Sequence, residues 1–191
     1  MVLHISATGL ELHVPQTPRS NSLESQRHEV SWKHLTSYGN LSFLNSLDLL
    51  DNSFRGEIPQ EIHGNITKEI ANLVNLNILY LQENRLTGSI PASIGILSNL
   101  GTVDLDSNRL TGEIPSSIGN IMRLIYCYFS GNTLNGTIPP SLGNCKQLLR
   151  LYIGENNLSG TIPARLVCHL LAHVNISYNS FMGSLPMEIG D

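Results

Sequence analysis

A parallel-stranded α/β solenoid, coiled from one short unit repeated along the chain, is the fold this sequence predicts. Three observations predict it. The stretch LGTVDLDSNRLTGEIPSSIGNIMR at residues 100–123 is echoed before and after it as LxxLxLxxNxLxGxIPxxIGxL. Its leading leucine recurs at Leu44, Leu76, Leu100, Leu124, Leu148 and Leu171, at spacings of 32, 24, 24, 24 and 23 residues. Six of the nine prolines fall in one column, at Pro59, Pro91, Pro115, Pro139, Pro163 and Pro186. Self-similarity at a period of roughly 20–29 residues marks units that cannot bury their apolar faces alone and stack to do so.

Composition narrows the field. The 191 residues are 41% hydrophobic and 14% charged, enough apolar material for one folded array. A net charge of -4 supplies no basic field for nucleic acid, and no run of 18 apolar residues offers a membrane-spanning segment. The amino terminus MVLHISATGLELHVPQ has no Lys or Arg ahead of its apolar residues, and His4, Glu11 and His13 interrupt them, so it makes a poor export signal. Cys127, Cys145 and Cys168 are odd in number and lack CxxC spacing, which favours buried thiols. Pairing of Cys145 with Cys168, at equivalent places of adjacent units, stays open.

Taken in order, residues 1–34 fall outside the repeat and read as a poorly ordered segment. The alternation of Leu10, Leu12 and Val14 leaves room in it for a degenerate capping strand. Residues 35–191 hold about six repeats. The extra eight residues of the first unit fit an insertion at 63–70 on the convex side. Within each unit xxLxL is a short strand, so Leu47 and Leu49, Val103 and Leu105, and Leu151 and Ile153 point inward while their neighbours point out. Stacking these strands gives a parallel sheet on the concave face. Asn52, Asn84, Asn108, Asn132, Asn156 and Asn179 follow, where the strand must turn and leaves backbone groups that an inward amide can satisfy. The glycine four residues on, as at Gly112, admits backbone angles closed to other residues. Proline then discourages further sheet. The remaining xxIGxL is too short for a regular helix and reads as 3₁₀ or a single helical turn on the convex face.

With LxGxIP after the Asn, these units resemble the plant-specific leucine-rich repeat of receptor-like kinase ectodomains. GNLSFLNSLDLLDNSFRGEIP, ILYLQENRLTGSIPASIG and PPSLGNCKQLLRLYIGENNLSGTIP look like the immune-receptor group in particular. The resemblance covers residues 35–190. It implies a leucine-rich repeat superhelix that recognises a peptide or protein, with a co-receptor as a further partner, at the cell surface or outside the cell. Such receptors carry a signal peptide, cysteine-paired caps, a transmembrane helix and a Ser/Thr kinase domain. None of these is read here, so recognition rather than catalysis is implied. A secreted inhibitor similar to the polygalacturonase-inhibiting proteins, and a truncated receptor fragment without a role of its own, are the alternatives.

The outward strand residues form columns about 4.8 Å apart. Acidic residues gather in the early units, at Asp48, Asp51, Glu83, Asp104 and Asp106. Tyr126, Tyr128, Arg150, Tyr152 and His173 gather in the later ones. Tyr80, Asp104, Tyr126, Tyr128, Arg150, Tyr152 and His173 are the candidate ligand-binding residues, because Tyr and Arg dominate binding hot spots. The bland alternative is a solvated sheet face that favours Tyr. Five glycosylation sequons begin at Asn40, Asn65, Asn135, Asn157 and Asn175. The run CHLLAH at 168–173 spaces two imidazoles as a helical metal site would, but it crosses into a strand, where that spacing fails. No P-loop, kinase signature or nucleophile elbow calls for a cofactor or an enzyme.

Overall fold

A computed structural model describes residues 2–6, 9–13, 44–51, 55–58, 73–167 and 172–184. Asn40, Asn52, Asn65, the insertion 63–70, Cys168 and His169 lie outside the described residues.

Six three-residue strands carry the repeat: β3 Ser46–Asp48, β5 Ile78–Tyr80, β7 Thr102–Asp104, β8 Tyr126–Tyr128, β9 Arg150–Tyr152 and β11 His173–Asn175. All pair in parallel, with Leu47, Leu79, Val103, Cys127, Leu151 and Val174 in one register. Two further strands, β1 Val2–Ser6 and β2 Gly9–His13, extend this sheet. They pair antiparallel with each other, and β1 runs parallel to β3. Residues 2–6 and 9–13, in the segment where the sequence leaves room for a capping strand, thus stand as two paired strands at the end of the sheet.

The seven apolar positions of the unit at 100–123, Leu100, Val103, Leu105, Leu110, Ile114, Ile118 and Ile121, are all buried, at 4% exposure or less. They join one continuous core running from Leu44 to Leu166. Each such side chain contributes roughly 1.5–3 kcal/mol when buried.

The Asn ladder makes the turns. Asn108 Nδ2 lies 2.9 Å from the Leu81 carbonyl of the preceding unit and 3.1 and 3.2 Å from the Leu105 and Asp106 carbonyls of its own. Its Oδ1 accepts the Leu86 N–H at 3.0 Å. Asn132 and Asn156 repeat the pattern, and each links two units through groups that would otherwise be buried without partners. To reach inward, each described Asn follows a residue in the left-handed region, Glu83, Ser107, Gly131, Glu155 or Tyr178, with φ between 52° and 64°, and Asp51 shares that conformation at 49°. The left-handed conformation of this column was not read from the sequence, because in it only Gly131, and more weakly Asp51, favour such angles.

Past the Asn, β4 Arg55–Glu57 pairs with β6 Arg85–Thr87, and β10 Ser159–Gly160 pairs with β12 Ser180–Phe181. Single bridges join Ser89 to Thr111, Glu113 to Asn135 and Thr137 to Ser159 between them. This second, lateral ladder is also absent from the sequence reading. The convex side is 3₁₀, as expected, over Ala92–Ile96, Ser116–Asn120 and Pro140–Asn144, each begun by an extended Pro. The glycine inside these turns is there for space. A Cβ on Gly119 would stand 2.2 Å from the Ser141 carbonyl oxygen of the next unit.

Candidate functional site

The outward side of the sheet carries two columns of side chains, and the register fixes what stands there. The central column runs Asp48, Tyr80, Asp104, Tyr128, Tyr152, Asn175, and the column before it Ser46, Ile78, Thr102, Tyr126, Arg150, His173. Two kinds of side chain share the central column. Asp48, Asp104 and Asn175 fold back, their Oδ1 atoms accepting the N–H of Leu50, Asp106 and Ser177 at 3.1, 3.0 and 3.1 Å. Tyr has no such short acceptor, so Tyr80, Tyr128 and Tyr152 present their rings on the face.

Four of the candidate residues come together. Tyr126 and Tyr128 lie parallel at 6.3 Å between centroids, and Tyr128 meets Tyr152 edge-on at 5.2 Å. The Arg150 guanidinium sits 5.5 Å above the Tyr126 ring, within reach of a cation–π attraction. A side-chain hydrogen bond with Tyr128 raises the Arg150 pKa further, so it is a permanent cation. These contacts limit the rings before any ligand arrives, which lowers the entropy lost on binding. His173 stands in register with Arg150 on the exposed strand β11 and belongs to the border of the patch.

Tyr80 and Asp104 form the opposite border. Burial, and next the Asp104 charge, raise the Tyr80 pKa. Burial likewise raises Asp104 to about 6, against a hydrogen bond from the Asp106 backbone that lowers it, with Glu83 adding repulsion. Asp106, absent from the candidate set, is raised to about 7 by burial and then by Asp104. Its bond from Ser130 N–H at 2.5 Å opposes that rise. Its acidity was legible in the sequence; its desolvation was not.

Cys127 and Cys145 are free buried thiols, and Cys145 Sγ points to the Ile118 carbonyl at 3.5 Å. The sequon residues Asn135 and Asn157 are exposed on the lateral side, whereas Asn175 ends a concave strand with its Oδ1 held by Ser177 N–H and Oγ–H. Among the described residues no helix is long and apolar enough to cross a membrane.

The comparisons with known proteins agree with this architecture. Residues 75–97, 99–121 and 123–145 each match the family model described as Leucine Rich Repeat. Among solved structures, the chain is similar to the ectodomain of the plant membrane receptor kinase GASSHO1/SCHENGEN3 from Arabidopsis thaliana, in complex with CASPARIAN STRIP INTEGRITY FACTOR 2. Identity there is 35% and the TM-score 0.65, over 78% of this chain and 20% of that one. It is similar at 34% identity and a TM-score of 0.62 to a chain of the BIR3 - SERK2 complex from Arabidopsis thaliana, over 77% of this chain and 74% of that one. A plant ice-binding protein aligns at 31% identity and a TM-score of 0.64, over 74% and 43% of the two chains. No curated protein matches the sequence. Fold and surface together define a parallel-stranded solenoid with an aromatic patch on the outward face of its sheet. Within that class, the chain belongs to the plant-type leucine-rich repeat proteins, the group in which receptor-kinase ectodomains are found.

Proposed function

We propose that this chain is a non-catalytic recognition module that binds a peptide or protein segment across its concave sheet, outside the cell, as part of plant receptor signalling. One observation carries the reading: Tyr126, Tyr128, Tyr152 and Arg150 are already joined by ring and cation–π contacts on the outward face of the sheet. Large rings of few rotatable bonds and a forked cation are what binding hot spots use. Two similar structures support the class of partner, one holding CASPARIAN STRIP INTEGRITY FACTOR 2 and one a BIR3 - SERK2 complex. A plant ice-binding protein shares the repeat, so the repeat alone names no ligand and the patch is what points to one. Glycans at Asn135 and Asn157 would lie off this face and leave it open.

The test is a peptide-library screen with the full chain, followed by titration of Tyr128→Ala and Tyr152→Ala. Each is expected to lose about 2 kcal/mol, roughly thirtyfold in affinity, while Met122→Ala, exposed in the turn after a 3₁₀ helix, changes little. Wild-type affinity in both tyrosine variants would remove the patch from the site.

A further inference from the structure

Beside the aromatic patch the concave face gathers two carboxylates and two buried polar atoms without hydrogen-bond partners. Asp104 lies one strand from Tyr80 on one side and one strand from Tyr128 on the other, about 4.8 Å across the sheet in each direction. Its folded-back carboxylate puts it at the floor between two rings. Asp106 follows on the same strand end, between Gln82 of the preceding unit and Ser130 of the next. Gln82 Oε1 and Ser130 Oγ are both out of water and without a hydrogen-bond partner. Two carboxylates and two orphaned oxygens therefore share one spot.

Nothing positive answers them among the described charges that bear on the pair. Glu83 presses on Asp104, and Asp104 and Glu155 press on Asp106. Asp48 and the phenols of Tyr80, Tyr126 and Tyr128 complete the surroundings of the floor. Arg150 is engaged with Tyr126 and Tyr128. That engagement shows in this molecule how the face treats a guanidinium: it takes the plane of the group over a ring.

We propose that Asp104 and Asp106, walled by Tyr80 and Tyr128, form a seat for one cationic side chain, the ammonium of a Lys or the guanidinium of an Arg in the bound segment. This deepens the recognition reading above and rests on it. A donor-only group is the chemical complement of such a spot, since Lys brings three N–H donors, Arg five, and neither brings an acceptor. Rings on two sides add cation–π attraction within the ~6 Å over which it acts. Arg150 at the other end would repel a second cation. The bound segment therefore lies with its basic residue over β7 and its acidic or aromatic residues over β8 and β9. Protons compete for the same carboxylates, so the seat weakens as pH falls through about 7 to about 6.

The probes are the capped tripeptides Ac-Gly-Arg-Gly-NH2 and Ac-Gly-citrulline-Gly-NH2, which differ in charge but hardly in shape. They are titrated into the full chain with its tyrosine rings isotope-labelled for NMR. At pH 8 the arginine peptide is expected to shift ring signals with at least tenfold greater affinity than the citrulline peptide. Asp104→Asn, which keeps the fold-back bond, is expected to abolish that difference, as is pH 5, while Asp51→Asn retains it. Equal binding of the two peptides, or an unchanged preference in Asp104→Asn, overturns the seat. A library ligand separates this failure from that of the parent reading. Loss at Tyr152→Ala with none at Asp104→Asn sinks the seat alone, and loss at neither removes both.

Discussion

Val103 and Val174 are the same residue in the same column of the same sheet, yet Val103 is 0% exposed and Val174 45%. Both are the inward residue of a three-residue strand. Val103 has β5 on one side and β8 on the other, whereas Val174 has β9 on one side only among the described strands. The ladder shows the same contrast: Asn108 is buried, and Asn179, with the same three carbonyl contacts, is only half-buried. Position within the unit decides where a side chain points. The neighbouring unit decides whether pointing inward amounts to burial, and so whether it stabilises anything.

The largest expected effect tests the ladder. Asn108→Leu strands three carbonyl contacts and the Leu86 N–H in a closed core, and an orphaned buried group costs about 1–3 kcal/mol. A loss of about 3 kcal/mol or more is expected in urea melts, against about 1 kcal/mol for Asn179→Leu, where solvent reaches the turn. Equal losses would mean that neighbours do not set the value of the amide. Next in size is the valine pair. Val103→Ala should cost about 2 kcal/mol through lost burial and the cavity left behind, and Val174→Ala less than about 0.5 kcal/mol. A large loss at Val174 would show that its exposure does not persist in solution.

The smallest effect should ignore the contrast altogether. Left-handed strain is local, so Glu155→Gly in the interior and Tyr178→Gly near the end should each gain roughly 0.5 kcal/mol. Gly131→Ala should lose about 1 kcal/mol by the same reasoning. Differential scanning calorimetry of the three variants would check this. A gain confined to one of the two glycine variants would tie the strain to packing after all.

What the sequence by itself determined is direction and phase. A repeat keyed on leucine, Asn and Pro places every residue inward or outward, so the columns of the sheet, the Asn ladder and the 3₁₀ turns follow from counting. It also placed Tyr126, Tyr128, Arg150 and Tyr152 on one patch, because residues one period apart become neighbours across a parallel sheet. The tertiary structure alone decided what depends on distances between units. The lateral ladder pairs each unit two positions out of phase with the next, joining Glu113 to Asn135 and Thr137 to Ser159, and a count in phase passes over it. The residue before each Asn takes a left-handed turn whether it is Glu, Ser or Tyr, because the amide must reach inward as the strand ends; composition carries no trace of that demand. Asp104 and Asp106 read as outward acids of the early units, Asp104 among the candidate ligand-binding residues. Only stacking desolvates them in part, Asp104 between two rings and Asp106 between Gln82 and Ser130, and the physical reason is that desolvation belongs to the surroundings a group is given, not to the residue itself.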